Sequence, residues 1–78
     1  MENYKFAHIE KELENPVIQN TNVNYSIGGK RVMVTLEFTS DNSDEIHTLT
    51  LGGMVNSEVW SDEDIISFSV AEFEKFKV

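Results

Sequence analysis

Two alternating runs flank a pair of glycines near the middle of the chain, and no other feature limits the fold as much. Val23, Tyr25 and Ile27 alternate with Asn24 and Ser26. After Gly28-Gly29, Val32, Val34, Leu36 and Phe38 alternate with Met33, Thr35 and Glu37. A period of two is the mark of a strand with one face buried. Two such runs around a two-residue glycine loop specify a β-hairpin, because glycine readily adopts the positive φ of a primed turn. That loop pairs Ile27 with Lys30, Tyr25 with Val32 and Val23 with Val34, which puts the apolar partners on one face.

The pattern continues downstream. Ser40-Asp41-Asn42-Ser43-Asp44 reads as a turn, and Glu45 to Leu51 as a third strand that Gly52-Gly53 is expected to end. A four-residue loop at 41–44 sets Phe38 opposite His47, Leu36 opposite Leu49 and Val34 opposite Leu51. The predicted core face is Val23, Tyr25, Val32, Val34, Leu36, Phe38, Leu49 and Leu51. The other face carries Asn24, Arg31, Met33, Thr35, Glu37, Thr48 and Thr50 and is free for solvent or a partner.

The flanks supply the expected cover. In residues 4–14, Phe6, Ile9 and Leu13 stand at i, i+3 and i+7, the spacing of a narrow apolar helical stripe. Asn15-Pro16 would end that helix. Residues 17–22 read as a connection. Residues 54–64 are expected to hold a short edge segment around Val59-Trp60 and then an acidic turn. Ile65 to Phe68 reads as a fourth strand. Ser69 and Glu72 have capping-box spacing, which predicts a helix over the last nine residues that buries Phe73 and Phe76. The expected fold is therefore a single small α+β domain over residues 1–78. A β-meander of three to four strands is covered on one face by an N-terminal helix and a short C-terminal helix.

Composition narrows the function. Asp and Glu number 14 against 6 Lys and Arg, so the net charge is −8. Nucleic-acid affinity comes largely from cations that neutralise phosphates, so direct binding of DNA or RNA is not expected. Anionic membranes are disfavoured for the same reason, and no apolar run approaches the ~20 residues that span a bilayer. Apolar residues make up 40 % of the chain, too many for an acidic disordered tail. Met1-Glu2-Asn3-Tyr4-Lys5 has no basic region leading into an apolar stretch, so cytoplasmic residence is the expectation.

Chemistry has little to work with. The chain lacks cysteine, so it has no thiolate nucleophile and no Cys-based zinc site. No serine sits in a Gly-x-Ser-x-Gly elbow. His8-Ile9-Glu10 is half of a deaminase-like zinc pattern whose cysteine half is missing. In the predicted register, His47 is a core-edge residue. Residues 41–45 begin like a calcium loop, but Ile46 stands where glycine is needed and Gly52 where the bidentate Glu is needed. Gly28-Gly29-Lys30 precedes no helix that could back a phosphate. A non-enzymatic protein without cofactor or metal is expected.

The acids are gathered. Glu58, Asp62, Glu63 and Asp64 surround Trp60, the only tryptophan, and Glu10, Glu12 and Glu14 follow the midpoint of the first predicted helix. A buried aromatic ringed by charge is how interface hot spots are built. On a helix, Glu10 and Glu14 would lie roughly 6 Å apart at Cβ, comparable to successive phosphates. In size and composition the chain is similar to phage-encoded inhibitors, including anti-CRISPR proteins and other nucleic-acid mimics. That likeness is carried by no residue motif, so it transfers no site residues. The acidic clusters themselves point to a protein partner with a basic surface, with Glu58, Trp60, Asp62, Glu63, Asp64, Glu10, Glu12 and Glu14 as the expected contacts. The rival expectation is a structural or oligomer-forming protein that uses a sheet edge or the Met33/Thr35 face.

Overall fold

The computed structural model describes residues 2–25, 31–55 (main chain only at 53–55) and 61–78. Five strands precede one helix: β1 Asn3–Tyr4, β2 Leu13–Glu14, β3 Val17–Tyr25, β4 Arg31–Ser40, β5 Ser43–Val55 and α1 Asp62–Glu74. β1 and β2 form a short antiparallel ribbon, and β3, β4 and β5 form an antiparallel sheet in that order.

The sheet has the register expected from alternation. Tyr25 pairs with Val32 and Val23 with Val34, while Val34, Leu36 and Phe38 face Leu51, Leu49 and His47. The Ile27–Lys30 pair lies outside the described residues. Val32, Val34, Leu36, Phe38 and Leu49 are buried, while Val23 and Leu51 pack more loosely against them. Tyr25 is 47 % exposed, because it lies near the end of its strand. Position 17 already belongs to β3, so the expected connection at 17–22 is strand. A bulge at Gln19, between the Ile18 and Asn20 pairs, resets its alternation.

The turn into β5 differs from the four-residue loop. Ser40 pairs with Ser43 across Asp41-Asn42, and β5 then uses four residues where β4 uses two before His47 meets Phe38. A tight turn followed by a wide bulge at 44–46 reaches the same distant register.

The N-terminal helix is not present. Residues 3–14 are an extended ribbon with a turn, in which the Ile9 N–H donates to the Phe6 carbonyl at 3.2 Å. Backbone groups that a helix would pair internally are satisfied by side chains, one local and one distant. The Lys5 ammonium donates to the Ile9 and Glu10 carbonyls at 2.5 Å each, and the Glu14 N–H donates to Asn42 Oδ1 at 3.0 Å. Phe6 and Leu13 are fully buried while Ile9 is only partly so. The apolar spacing is thus met by an extended chain that drops in two anchors. Asn15 takes φ 46°, a left-handed conformation that Asn tolerates better than most residues. It turns the chain into Pro16 and β3.

The expected fourth strand and second helix are replaced by one helix. Ile65, Ser69 and Phe73 are its buried residues, spaced by four, so the Ile65-Ile66 pair that suggested a strand serves a helical stripe. The capping box lies at Ser61 and Asp64 instead of Ser69 and Glu72. Ser69 is buried within the helix, and its hydroxyl donates to the Ile65 carbonyl at 2.8 Å. The helix stops at Glu74, and Lys77 bridges to Tyr4.

The cover over the sheet is therefore α1 plus the N-terminal ribbon, joined by an aromatic cluster. The Phe6 ring lies 4.9 Å from Phe76, 5.0 Å from Phe38 and 5.4 Å from Phe73. Tyr4 lies 5.1 Å from Phe73. Among the described residues, no helix is long and apolar enough to cross a membrane.

Candidate functional site

The described acidic residues of the expected site fall at two ends of a molecule measuring 40 × 20 × 18 Å. At one end, the 41–42 turn docks on the chain between Lys11 and Asn15. Asn42 does most of this. Its Nδ2 donates to the Glu12 carbonyl at 2.8 Å and its Oδ1 accepts from the Glu14 N–H, so the side-chain amide acts as a one-residue strand partner. The Asp41 N–H donates to the Glu14 carbonyl at 2.9 Å, and the Asn15 amide donates to Asp41 Oδ2 at 2.9 Å. The Lys11 ammonium closes the junction on the Asn42 carbonyl. Glu10, Glu12, Asp41, Asp44 and Glu45 are exposed around this tip, while Glu14 is half-buried. Without a helix, the phosphate-like spacing expected of Glu10 and Glu14 has no basis.

A groove of about 560 Å³ opens beside the tip, lined by His8, Glu10, Lys11, Asp44, Glu45 and His47 among others. It brings together two histidines that are distant in sequence. His8 Nε2 donates to the Thr48 carbonyl at 2.6 Å. His47 Nε2 lies 2.9 Å from the Ser43 hydroxyl, a contact created by the 44–46 bulge. A hydroxyl beside an imidazole is the start of a nucleophile–base pair. Among the described residues, no carboxylate bonds the second ring nitrogen of His47 to orient it. No group of three or more His, Asp or Glu side chains converges on a metal position among those residues either.

The second end is the start of α1. Ser61 Oγ accepts from the Asp64 N–H at 3.2 Å, and Asp64 Oδ2 accepts from the Ser61 N–H at 3.3 Å. Asp62 accepts a hydrogen bond from the Tyr25 hydroxyl. That bond is the main cause of the upward shift of the Tyr25 phenol, with burial and the Asp62 charge adding to it. Asp62, Glu63 and Asp64 are all exposed, and three carboxylates in the first turn suit the helix dipole. Asp64 thus has a structural role, and Glu63 stands in solvent. Glu58 and Trp60 lie outside the described residues.

The structure does not merge the expected sites into one surface. Eight steps along β4 separate Val32, beside Tyr25, from Ser40 at the tip, about 26 Å at strand rise. Glu10 and Glu12 belong to one end, and Asp62, Glu63 and Asp64 to the other. Sequence reasoning missed Asn42 and the histidine groove. The Asp41-Asn42 pair carried a turn signal, but nothing local showed what the turn would touch. No protein-family model, curated protein or solved structure matches this chain.

Proposed function

We propose that the protein is a non-enzymatic binding module that seats its acidic surface on a protein with a basic face. In its sharper form it occupies the partner's nucleic-acid site and so inhibits it. The supporting observation is the excess of exposed carboxylates over cations among the described residues. Lys77 and Lys75 pair with Glu2 and Glu72 at 2.7 and 2.9 Å. Lys5 and Lys11 donate to backbone carbonyls. The exposed carboxylates of the tip and of the α1 start therefore project a negative field at both ends of an elongated molecule. Such a field accelerates encounter with a basic surface at low salt.

The test is a pull-down from cell lysate at low and high salt, with mass spectrometry of the retained proteins. A companion chain carries Glu10→Gln, Glu12→Gln, Asp44→Asn and Glu45→Gln. These positions are exposed, and their side chains make none of the hydrogen bonds that hold the tip. The expected result is a basic, nucleic-acid-binding protein that is lost at high salt, with an association rate at least about tenfold slower for the variant. A retained set indifferent to both salt and neutralisation would overturn the reading.

A further inference from the structure

The fold treats the two edges of the three-stranded sheet differently. β5 is covered at its Thr48 carbonyl by His8, the turn that leads into it is held by Lys11 on the Asn42 carbonyl, and its bulge carries Asp44 and Glu45. β3 has β4 as its only strand neighbour among the described residues. From Val17 to Tyr25 it contains no charged residue and no proline, and its one bulge lies near its start. Natural edge strands are usually blunted by charge, proline or a covering segment. Among the described residues, this edge carries none of these beyond the bulge, apart from α1, which packs against β3 and sets Asp62 at its Tyr25 end.

One hydrogen bond shows which groups face outward. The Thr21 N–H donates to Asn20 Oδ1 at 3.0 Å, so it points away from β4. Alternate residues of an antiparallel strand direct their backbone groups the same way. Thr21, Val23 and Tyr25 therefore present amides and carbonyls to the open edge. Asn22 and Asn24, paired with Thr35 and Met33, are exposed on the outer sheet face.

We propose that two copies of this chain pair through β3, antiparallel about a two-fold axis at Val23, to form a continuous six-stranded sheet. Val23 then faces Val23 of the partner subunit, Thr21 faces the partner's Tyr25, and Asn22 faces the partner's Asn24. Charge selects a second copy as the occupant. A chain at −8 repels its own copy wherever carboxylates meet, and β3 is the edge along which none is carried. Of the described carboxylates, only Glu37 belongs to β3 or β4; Asp62, held by the Tyr25 hydroxyl, stands at the end of the pairing line. Self-pairing of one strand also closes the contact, so it ends at two copies. The pairing goes beyond the charge-docking reading and does not depend on it.

Sedimentation velocity on the full chain, from roughly 10 to 500 µM protomer, tests the proposal by mass action. The expected result is twice the chain mass at high concentration, with the dimer strengthened by salt as repulsion is screened. Asn22→Lys combined with Asn24→Lys sets like charges opposite each other across the axis and should weaken the dimer about tenfold or more. Asn22→Lys combined with Asn24→Glu makes the same positions complementary and should restore it. Hydrogen exchange on the unaltered protein provides a measurement independent of any variant: the Val23 amide should slow as concentration rises. A monomer throughout the range, a dimer indifferent to the paired lysines, or a concentration-independent Val23 amide would each overturn the proposal.

Discussion

Replacing Phe6 with alanine tests the fold at the point where all its parts meet. The Phe6 side chain is fully buried, and its ring touches those of Phe38 in the sheet, Phe73 in α1 and Phe76 in the C-terminal turn. Removing a buried phenyl group costs about 3–5 kcal/mol through lost transfer energy and the cavity left behind. A chain of 78 residues has roughly 4–12 kcal/mol of stability in total, at about 0.05–0.15 kcal/mol per residue. The loss therefore takes a quarter or more of the whole. The β1–β2 ribbon consists of two-residue strands and depends on Tyr4, Phe6 and Leu13 for its attachment, so it should detach first. Urea unfolding followed by circular dichroism measures the loss. With a slope near 1 kcal/mol per molar, the midpoint should fall by about 3–5 M, or the variant should be unfolded without urea. Phe6→Leu, which keeps most of the volume, should lose less than half as much. A Phe6→Ala loss under about 1 kcal/mol would refute the placement of Phe6 at the centre of the core.

Other substitutions separate the extended ribbon from a helix and test the tip. Ala7→Pro falls at the second position of the Phe6–Ile9 turn, where proline is favoured. It should change stability by less than about 1 kcal/mol, whereas inside a helix it would cost ~3 kcal/mol; thermal melts decide. Asn42→Ala removes the acceptor of the Glu14 N–H and the donor to the Glu12 carbonyl. It should cost roughly 2 kcal/mol and speed hydrogen exchange at Glu14 specifically. The Tyr4 phenol, buried and donating to Glu74, is pushed up to about 12, with burial the larger cause. A folded pKa above the ordinary value stabilises the protein fully below pH 10, and that contribution is lost as pH rises towards 12. Stability measured against pH should show this alkaline decline, and Tyr4→Phe should flatten it.

The alternation in Val23–Phe38 and in Glu45–Leu51 was enough to place the middle of three strands and the register between them, but not the start of β3 at Val17, the run of β5 through Gly52-Gly53 to Val55, or the exposure of Tyr25. A strand has a side-chain period of two, so a slip by one residue would turn the whole apolar set outward. That constraint is local and is written in consecutive residues. It held even where the connection differed, because the bulge at 44–46 absorbed the residues that a wider loop would have used. The terminal segments carry no such constraint. Phe6, Ile9 and Leu13 suit a helix by spacing, but an extended chain can bury two of them as well. The outcome depended on the distant partners Asn42, Phe38 and Phe73, and on the ammonium of Lys5 held by two nearby carbonyls. Ile65-Ile66 favoured a strand locally, yet the cap at Ser61 and the need for a cover over β3 and β4 made it a helix.

The candidate sites divide in the same way. Which residues are acidic, and that no cysteine is present, could be read directly from the chain. That the acids stand at two ends about 26 Å apart is a tertiary fact. So is the meeting of His8 and His47 in one groove, and so is the cover on one sheet edge with the other left open. Each depends on contacts between segments 30 or more residues apart, such as Lys11 with Asn42 and His8 with Thr48. No local pattern encodes such contacts, because their free energy exists only once the sheet has formed and the ribbon has found it.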